Sequence, residues 1–210
     1  MEENILADYI TSNRADTLKL LIMYELYGMK TLARFSCYVS KKNKIDAIVL
    51  LGDIISPNVV KWLSEVCGIK VLGVDGRLDG YPVITELKSK GGFISGKIVN
   101  LGRLVIAGLG LSSHGLSHGF GGIDVLVSYM QGRKYTCGGK GVDTVDRFID
   151  YYRPRVVVMG NSSMPCSSEN LYSPGSAKLG YAGVLIRNAN GEFVFENMNY
   201  ERYEGIWIDN

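Results

Sequence analysis

The sequence predicts an α/β protein in which two β-sheets pack face to face and helices cover the outer faces. In the first half, short apolar runs alternate with helical patterns, which is the order of a parallel sheet with right-handed crossovers. In the second half, strands follow one another and end in an Asn190-Gly191 hairpin signal, which favours antiparallel pairing. With 210 residues, the chain is long enough for one domain with a full core.

The first half supplies three predicted strands joined by two predicted helices. In chain order these are strand 18–24, helix 29–42, strand 45–51, helix 57–67 and strand 69–72. Each strand is a nearly continuous apolar run, as expected for a buried parallel sheet. The first helix places Leu32, Phe35 and Val39 on one face. Pro57 suits the first turn of the second helix, and Gly68 suits its end.

The second half is predicted to contain mostly strands, separated by polar or glycine-rich loops. In chain order the elements are strands 92–100, 104–107 and 124–127, helix 142–152, strand 155–159, hairpin strands 181–187 and 192–197, and strand 203–208. Ser173-Pro174-Gly175-Ser176 is predicted to be a turn. Residues 1–17 carry apolar side chains at helical spacing, so we expect an N-terminal helical extension ahead of a domain at 18–210.

Composition favours a globular protein with no clear nucleic-acid signal and no membrane span. Hydrophobic residues are 46% of the chain, charged residues are 21%, and the net charge of +2 includes no basic block. The longest apolar runs are about strand length, which is too short to cross a bilayer. Because the N-terminus also lacks a signal-peptide pattern, we expect a cytoplasmic protein.

The four cysteines do not have the spacing of a zinc site, because no two of them form a C-x-x-C pair. We expect Cys37 and Cys67 to be small core residues on helices. Cys137 and Cys166 fall in two polar loops, and the sequence leaves open whether these loops are joined by a disulfide.

Asp53 is the first candidate for a metal-binding residue. It follows Gly52 at the end of the apolar run 47–51, where a dinuclear metal enzyme presents a bridging carboxylate. Two metals need about six more ligands, mostly imidazoles. The chain has only two histidines, His114 and His118, in a glycine-broken loop. Two interpretations of these histidines stay open: a site rebuilt with Asp53, or loop histidines that are hydrogen-bonded locally or solvated.

Residues 18–208 resemble the calcineurin-like metallophosphoesterase family in the order and spacing of their motifs. The matching segments are Tyr24-Glu25-Leu26-Tyr27-Gly28, Gly52-Asp53, Gly73-Val74-Asp75-Gly76, Ile106-Ala107-Gly108-Leu109-Gly110, Ser128-Tyr129, Gly160-Asn161-Ser162-Ser163 and Ser173-Pro174-Gly175-Ser176. This resemblance implies a four-layer αββα sandwich with two mixed sheets flanked by helices. It also implies an ancestral metal-dependent hydrolysis of phosphate esters.

The resemblance places few metal-binding side chains at the family's ligand positions. Those positions hold Glu25, Tyr27, Asp53, Val74, Tyr129, Asn161 and Ser163. Asp53 alone is the family's residue, while Glu25 offers a longer carboxylate and Asn161 one weak oxygen. Asp75 stands where the family has its catalytic histidine. We therefore expect no cofactor, or at most a single Mn or Mg ion bound by Asp53, Glu25 and Asn161.

Three functions remain open from the sequence. The favoured one is a binding or protein-interaction module without dinuclear-metal hydrolysis, whose partner is another protein or a second copy of the chain. A second is binding of a phosphorylated small molecule in a metal-free cleft. The third is an active metal-dependent hydrolase of phosphomonoesters or phosphodiesters, with a single-metal or unconventional site at Asp53 and with Asp75, His114 or His118 in catalysis.

Overall fold

The computed structural model describes residues 17–113, 122–137 and 140–199, and in this part of the chain two sheets form the centre of the fold. The first sheet has the strand order β11-β10-β1-β2-β3, with β1 Leu18–Met23, β2 Ala47–Leu50, β3 Lys70–Gly73, β10 Tyr181–Arg187 and β11 Phe193–Asn199. Strands β1, β2 and β3 pair in parallel, whereas β10 pairs antiparallel with both β1 and β11. The C-terminal hairpin therefore extends the N-terminal parallel sheet.

The second sheet contains six strands in the order β4-β5-β6-β7-β9-β8. These are β4 Lys97–Leu101, β5 Leu104–Leu109, β6 Val125–Ser128, β7 Val156–Met159, β8 Cys166–Ser168 and β9 Leu171–Ser173. Strands β5, β6, β7 and β9 are parallel, and antiparallel strands close both edges. Both sheets are mixed, so each has a row of parallel strands whose carboxyl ends point the same way.

Helices cover the outer faces of both sheets. They are α1 Lys30–Asn43, α2 Pro57–Lys61, a π-helix Trp62–Val66 that continues α2, α3 Tyr81–Ser89 and α4 Asp143–Tyr152. Pro57 opens α2, where its missing N–H is not needed. Helix α1 ends at Lys44, whose left-handed backbone lets its N–H bond back to the carbonyl of Ser40.

The core is layered as the sequence predicts. On β1, Leu21 and Met23 belong to a cluster with residues of α1, α2 and α3, whereas Leu20 and Ile22 belong to a cluster between the sheets. A third cluster joins the outer face of the second sheet to α4. Each fully buried aliphatic side chain contributes about 1.5–3 kcal/mol, so this alternation strongly specifies the strand register. The predicted four-layer sandwich is confirmed.

Several elements differ from the sequence prediction, among them β8 and β9, two short strands that the sequence analysis does not predict. The sequence does not predict α3, because its nine residues bury only Val83 and Leu87 and give a weak helical pattern. The strand expected at 92–100 is shorter, Lys97–Leu101, because the residues before it form isolated bridges to β3 and β5.

The predicted extension at 1–17 lies outside the described residues except for its last position, and the strand predicted at 203–208 lies wholly outside them. No helix in the described residues is long and apolar enough to cross a bilayer.

The cysteines form two pairs in the structure. Cys37 on α1 pairs with Cys67 after the π-helix, and their Cα atoms are 5.6 Å apart. Cys137 pairs with Cys166 on β8, with Cα atoms 5.7 Å apart. Cys37 is a buried residue on a helix, as expected, whereas Cys67 is only half-buried and follows the π-helix. The sequence analysis did not predict their pairing, because the sequence does not show that α1 and the π-helix are neighbours. Since disulfides persist mainly in oxidising environments, the cytoplasmic location stays a prediction.

We predict that reduction of the disulfides destabilises the fold. The bridges span 30 and 29 residues along the chain, and each closed loop of that length contributes about 3–4 kcal/mol to the free energy of unfolding. Urea denaturation with and without a phosphine reductant measures the loss. The paired variant Cys37→Ala, Cys67→Ala isolates one bridge. Four reactive thiols in the unreduced native protein, with stability unchanged by reductant, would contradict this prediction.

Candidate functional site

The candidate site lies where the carboxyl ends of parallel strands from both sheets converge. Backbone hydrogen bonds join the segments after β1 and β2, from the Tyr27 N–H to the Asp53 carbonyl at 3.2 Å. The segment after β3 approaches even more closely, because a Cβ atom at Gly76 would lie 2.4 Å from the Asp53 nitrogen. A Cβ atom at Gly52 would lie 2.7 Å from the Tyr129 ring. Glycine at these two positions therefore allows three strand ends to meet.

Asp53 is held by hydrogen bonds from its own chain. Its side chain is buried, and its Oδ1 atom accepts the Leu78 N–H at 2.8 Å. Its Oδ2 atom accepts the Tyr129 hydroxyl at 3.2 Å. Both carboxylate oxygens thus have partners from the second sheet and from the loop after β3.

Two further tyrosines surround Glu25 beside this carboxylate. The hydroxyls of Tyr24 and Tyr27 lie near the Glu25 carboxylate, and burial together with the negative charge of that carboxylate raises the pKa of both phenols. Burial, together with the nearby negative charge of Glu25 and Asp53, raises the pKa of Tyr24 well above its ordinary value. Burial and the Asp53 charge likewise raise the pKa of Tyr129. These phenols therefore stay neutral hydrogen-bond donors at physiological pH.

Asp79 is a site residue that the sequence analysis missed. Its Oδ1 atom accepts the N–H groups of Ile54 and Ile55 at 2.7 and 2.8 Å, and its Oδ2 atom accepts the Gly76 N–H at 2.8 Å. Burial raises the pKa of Asp79, the nearby Asp53 charge also raises it, and the three backbone hydrogen bonds oppose both effects. The one available signal was an Asp-Gly pair immediately before a helix.

Asp75 stands at the position where the resemblance implies the family's catalytic histidine. Its side chain is buried, and both of its carboxylate oxygens accept hydrogen bonds. Its Oδ1 atom accepts the hydroxyls of Ser95 at 2.5 Å and Ser112 at 2.9 Å, and its Oδ2 atom accepts the Ser112 N–H at 2.9 Å. A Cβ atom at Gly110 would lie 2.1 Å from this carboxylate. The arrangement joins the loop after β3 to the loop after β5. Catalysis by Asp75 stays a prediction.

At the end of β7, Asn161 lies beside a buried glutamine that the sequence analysis did not select. The Asn161 Nδ2 group donates to the Lys140 carbonyl at 3.1 Å. The Gln131 Nε2 group donates to the Gly160 carbonyl at 3.1 Å, and its Oε1 atom accepts the Cys137 N–H at 2.7 Å. Gln131 therefore fixes the segment that carries Asn161 against the loop that carries the second disulfide.

Left-handed backbone conformations of non-glycine residues concentrate at this site. They occur at Glu25, Tyr27, Asp53, Ile55 and Asn161, with φ between 52° and 68°. Such conformations cost about 1–3 kcal/mol each and persist where the surrounding structure holds them. Four of these five residues are at ligand positions implied by the resemblance. The strand ends thus have a strained backbone at these four positions.

The donor set at this site does not fit a pair of metal ions. Within residues 17–113, 122–137 and 140–199, no group of three or more His, Cys, Asp or Glu side chains lies together as a metal site requires. Val74 is buried and apolar, and Tyr129 already donates to Asp53. His114 and His118 lie outside the described residues, so a site rebuilt with them stays a prediction. A single ion at Asp53, Glu25 and Asn161 also stays a prediction.

We predict that stability falls as the pH rises above about 10. Tyrosines of the unfolded chain lose protons near their ordinary pKa of 10.0, whereas Tyr24 and Tyr129 keep theirs in the folded protein. The folded state then holds more protons than the unfolded state, so alkali favours unfolding by up to about 1.4 kcal/mol per pH unit for each tyrosine. Below about pH 10, both tyrosines are protonated in the folded and the unfolded protein, so neither makes the stability depend on pH.

Chemical denaturation at about pH 9 and about pH 11 measures this slope. Tyr24→Phe and Tyr129→Phe should each reduce it. The matched control is Tyr151→Phe, because the Tyr151 side chain is 79% exposed and should leave the slope unchanged. A slope that is the same in all three variants and the wild type would show that Tyr24 and Tyr129 titrate normally.

No protein-family model matches the sequence, and no curated protein matches it. Several solved structures share its fold. An archaeal phosphodiesterase superposes with a TM-score of 0.57 at 14% identity, covering 86% of this chain and 100% of its own. A dimetal phosphatase from Danio rerio gives 0.54 at 9% identity, covering 87% and 96%. GAP50, the anchor in the inner membrane complex of Plasmodium, gives 0.56 at 14% identity, covering 90% and 87%. The chain therefore has the metallophosphoesterase fold, as its motifs indicate.

Proposed function

We propose that this protein is a binding or protein-interaction module that has the metallophosphoesterase fold without its dinuclear-metal hydrolysis. The observation that carries the proposal is that both carboxylate oxygens of Asp53 accept hydrogen bonds from the chain itself. A carboxylate that bridges two cations must direct lone pairs at both of them. In this chain each Asp53 oxygen already accepts a hydrogen bond, Oδ1 from the Leu78 N–H and Oδ2 from the Tyr129 hydroxyl.

Energetics support the proposal, because a metal would have to displace internal partners. Hydrogen bonds to a buried charged group contribute about 1.5–3 kcal/mol each. Two ions at Asp53 would compete with both of its hydrogen bonds. They would gain few other ligands, since Val74 and Tyr129, both buried, stand at two of the ligand positions implied by the resemblance. In a metal-assisted reaction, each 1.36 kcal/mol of lost transition-state stabilisation lowers the rate about tenfold. Loss of most ligands is therefore enough to remove the reaction.

The known structures with this fold support more than one use of it. The archaeal protein and the Danio rerio protein are described as a phosphodiesterase and a dimetal phosphatase. GAP50 is described as an anchor in the inner membrane complex of Plasmodium. An anchoring protein with this architecture supports an assembly role here, with another protein or a second copy as partner. Light scattering at increasing concentration distinguishes self-association from a monomer that needs another partner.

A second candidate function is an active metal-dependent phosphoesterase with an unconventional site at Asp53. The observation that favours it is the strained backbone at Glu25, Tyr27, Asp53 and Asn161, because such strain often accompanies function. A single Mn or Mg ion at Asp53, Glu25 and Asn161, with Asp75, His114 or His118 in catalysis, would be the site.

We predict that the protein purified without chelator shows no Mn²⁺-dependent hydrolysis of bis(p-nitrophenyl) phosphate or p-nitrophenyl phosphate. Asp53→Asn, which keeps the shape but removes the charge, should give the same background rate. Elemental analysis of the same samples should show less than one transition metal per chain. Turnover that is present in the wild type and lost in both Asp53→Asn and the His114→Ala, His118→Ala pair would establish the enzyme instead.

A further inference from the structure

A cavity lies in the helical layer outside the first sheet. It has a volume of about 450 Å³ and is formed by α1, α2 and the π-helix. This volume is within the range of small-ligand sites, about 300–1,000 Å³. Asp53, Glu25 and Asn161 do not line it. The cavity is therefore separate from the candidate site at the strand ends.

The cavity is lined by three cationic side chains, Lys30, Arg34 and Lys61. Within the described part of the chain, no salt bridge joins any of them to a carboxylate. Glu65 also lines the cavity, but its carboxylate is bound by Lys90 Nζ at 2.5 Å. That hydrogen bond, together with the charges of Lys90 and Lys61, lowers the pKa of Glu65. The cavity thus carries a net positive charge that an anion would neutralise.

The remaining walls are suited to an apolar, flat group. Trp62 lines the cavity and is partly buried against the core cluster under the helices. Val59 and Ala33, both buried, also line it, and Asn58 and Ser56 add polar atoms. An indole offers a face for ring stacking, and cations beside it suit a phosphate. One end of a ligand would therefore be anionic and the other aromatic.

Several features hold the cavity in shape. The Cys67 N–H bonds to the Trp62 carbonyl at 3.0 Å, which is the i to i+5 bond of a π-helix. π-Helical turns are rare and frequently occur at functional sites. The Cys37–Cys67 disulfide joins α1 to the end of the π-helix, so it connects the two sides of the cavity. Gly28 also lines it, where a Cβ atom would lie 3.2 Å from the Ser56 Cβ.

We infer that this cavity binds a phosphate ester of a flat aromatic group, which is the chemistry of a nucleotide. Lys30, Arg34 and Lys61 hold the phosphate, and Trp62 contacts the ring. This inference goes beyond the proposed interaction function because it names a second site and the class of its ligand. Its failure leaves the hydrolysis test at Asp53 unaffected, since that test concerns different residues and a different readout.

Isothermal titration of the full chain with AMP, adenosine and inorganic phosphate tests the inference. AMP should bind more tightly than either of the other two compounds, and higher salt should weaken AMP binding. The double variant Arg34→Gln, Lys61→Gln should weaken AMP binding roughly tenfold or more, because it removes two charge-assisted contacts. The matched control is Lys41→Gln, an exposed charge change on α1 outside the cavity, which should leave the affinity unchanged.

A second variant examines the aromatic contact. Trp62→Leu keeps an apolar side chain but removes the flat ring, so AMP should then bind no better than inorganic phosphate. Circular dichroism and thermal melting of each variant establish that the fold is intact. The inference is overturned if AMP does not bind at about 10 mM, if Arg34→Gln, Lys61→Gln binds as the wild type does, or if Trp62→Leu leaves the preference for AMP unchanged.

Discussion

The structure depends on how it stabilises one buried charge, the carboxylate of Asp53. A buried carboxylate without partners is unfavourable by several kcal/mol, so it must be neutralised, paired with a cation or hydrogen-bonded. Here the Leu78 N–H and the Tyr129 hydroxyl supply the hydrogen bonds. These donors come from the loop after β3 and from the end of β6, so one carboxylate connects the two sheets. The close approaches at Gly52 and Gly76 follow from the same requirement.

A phenol can satisfy the buried Asp53 carboxylate without a metal ion. Tyr129 keeps its proton because burial and the adjacent Asp53 raise its pKa, so it donates to the carboxylate as a neutral group. A neutral donor balances a buried carboxylate without any ion, but it cannot activate a water molecule as a metal does. Asp79 and Asp75 serve the neighbouring loops in a similar way, since each carboxylate accepts three hydrogen bonds from backbone or serine donors.

The fold could be predicted from the sequence because burial imposes a local pattern. The apolar runs that become β1, β2 and β7 are visible in the sequence, and so is the Asn190-Gly191 turn. Local pattern does not show that β10 joins β1, or that Cys37 faces Cys67 across 30 residues. The contacts of Asp79 and Gln131 are missed for the same reason. Asp79 bonds to the backbone 25 residues earlier, and Gln131 to that of Gly160, 29 residues later, so neither is predictable before the loops are placed.

The strand ends and the helical layer differ in what a ligand would have to displace. At the strand ends, Asp53, Asp75 and Asp79 already accept hydrogen bonds within the chain, so a ligand gains only what exceeds the hydrogen bonds that it breaks. In the helical layer, Lys30, Arg34 and Lys61 form no salt bridge to a described carboxylate, and the disulfide holds the walls together before any ligand arrives. A preorganised cavity loses less conformational entropy on binding. The proposed recognition of a small anion is therefore favoured between α1 and the π-helix, whereas the hydrogen bonds of Asp53 at the strand ends join the two sheets.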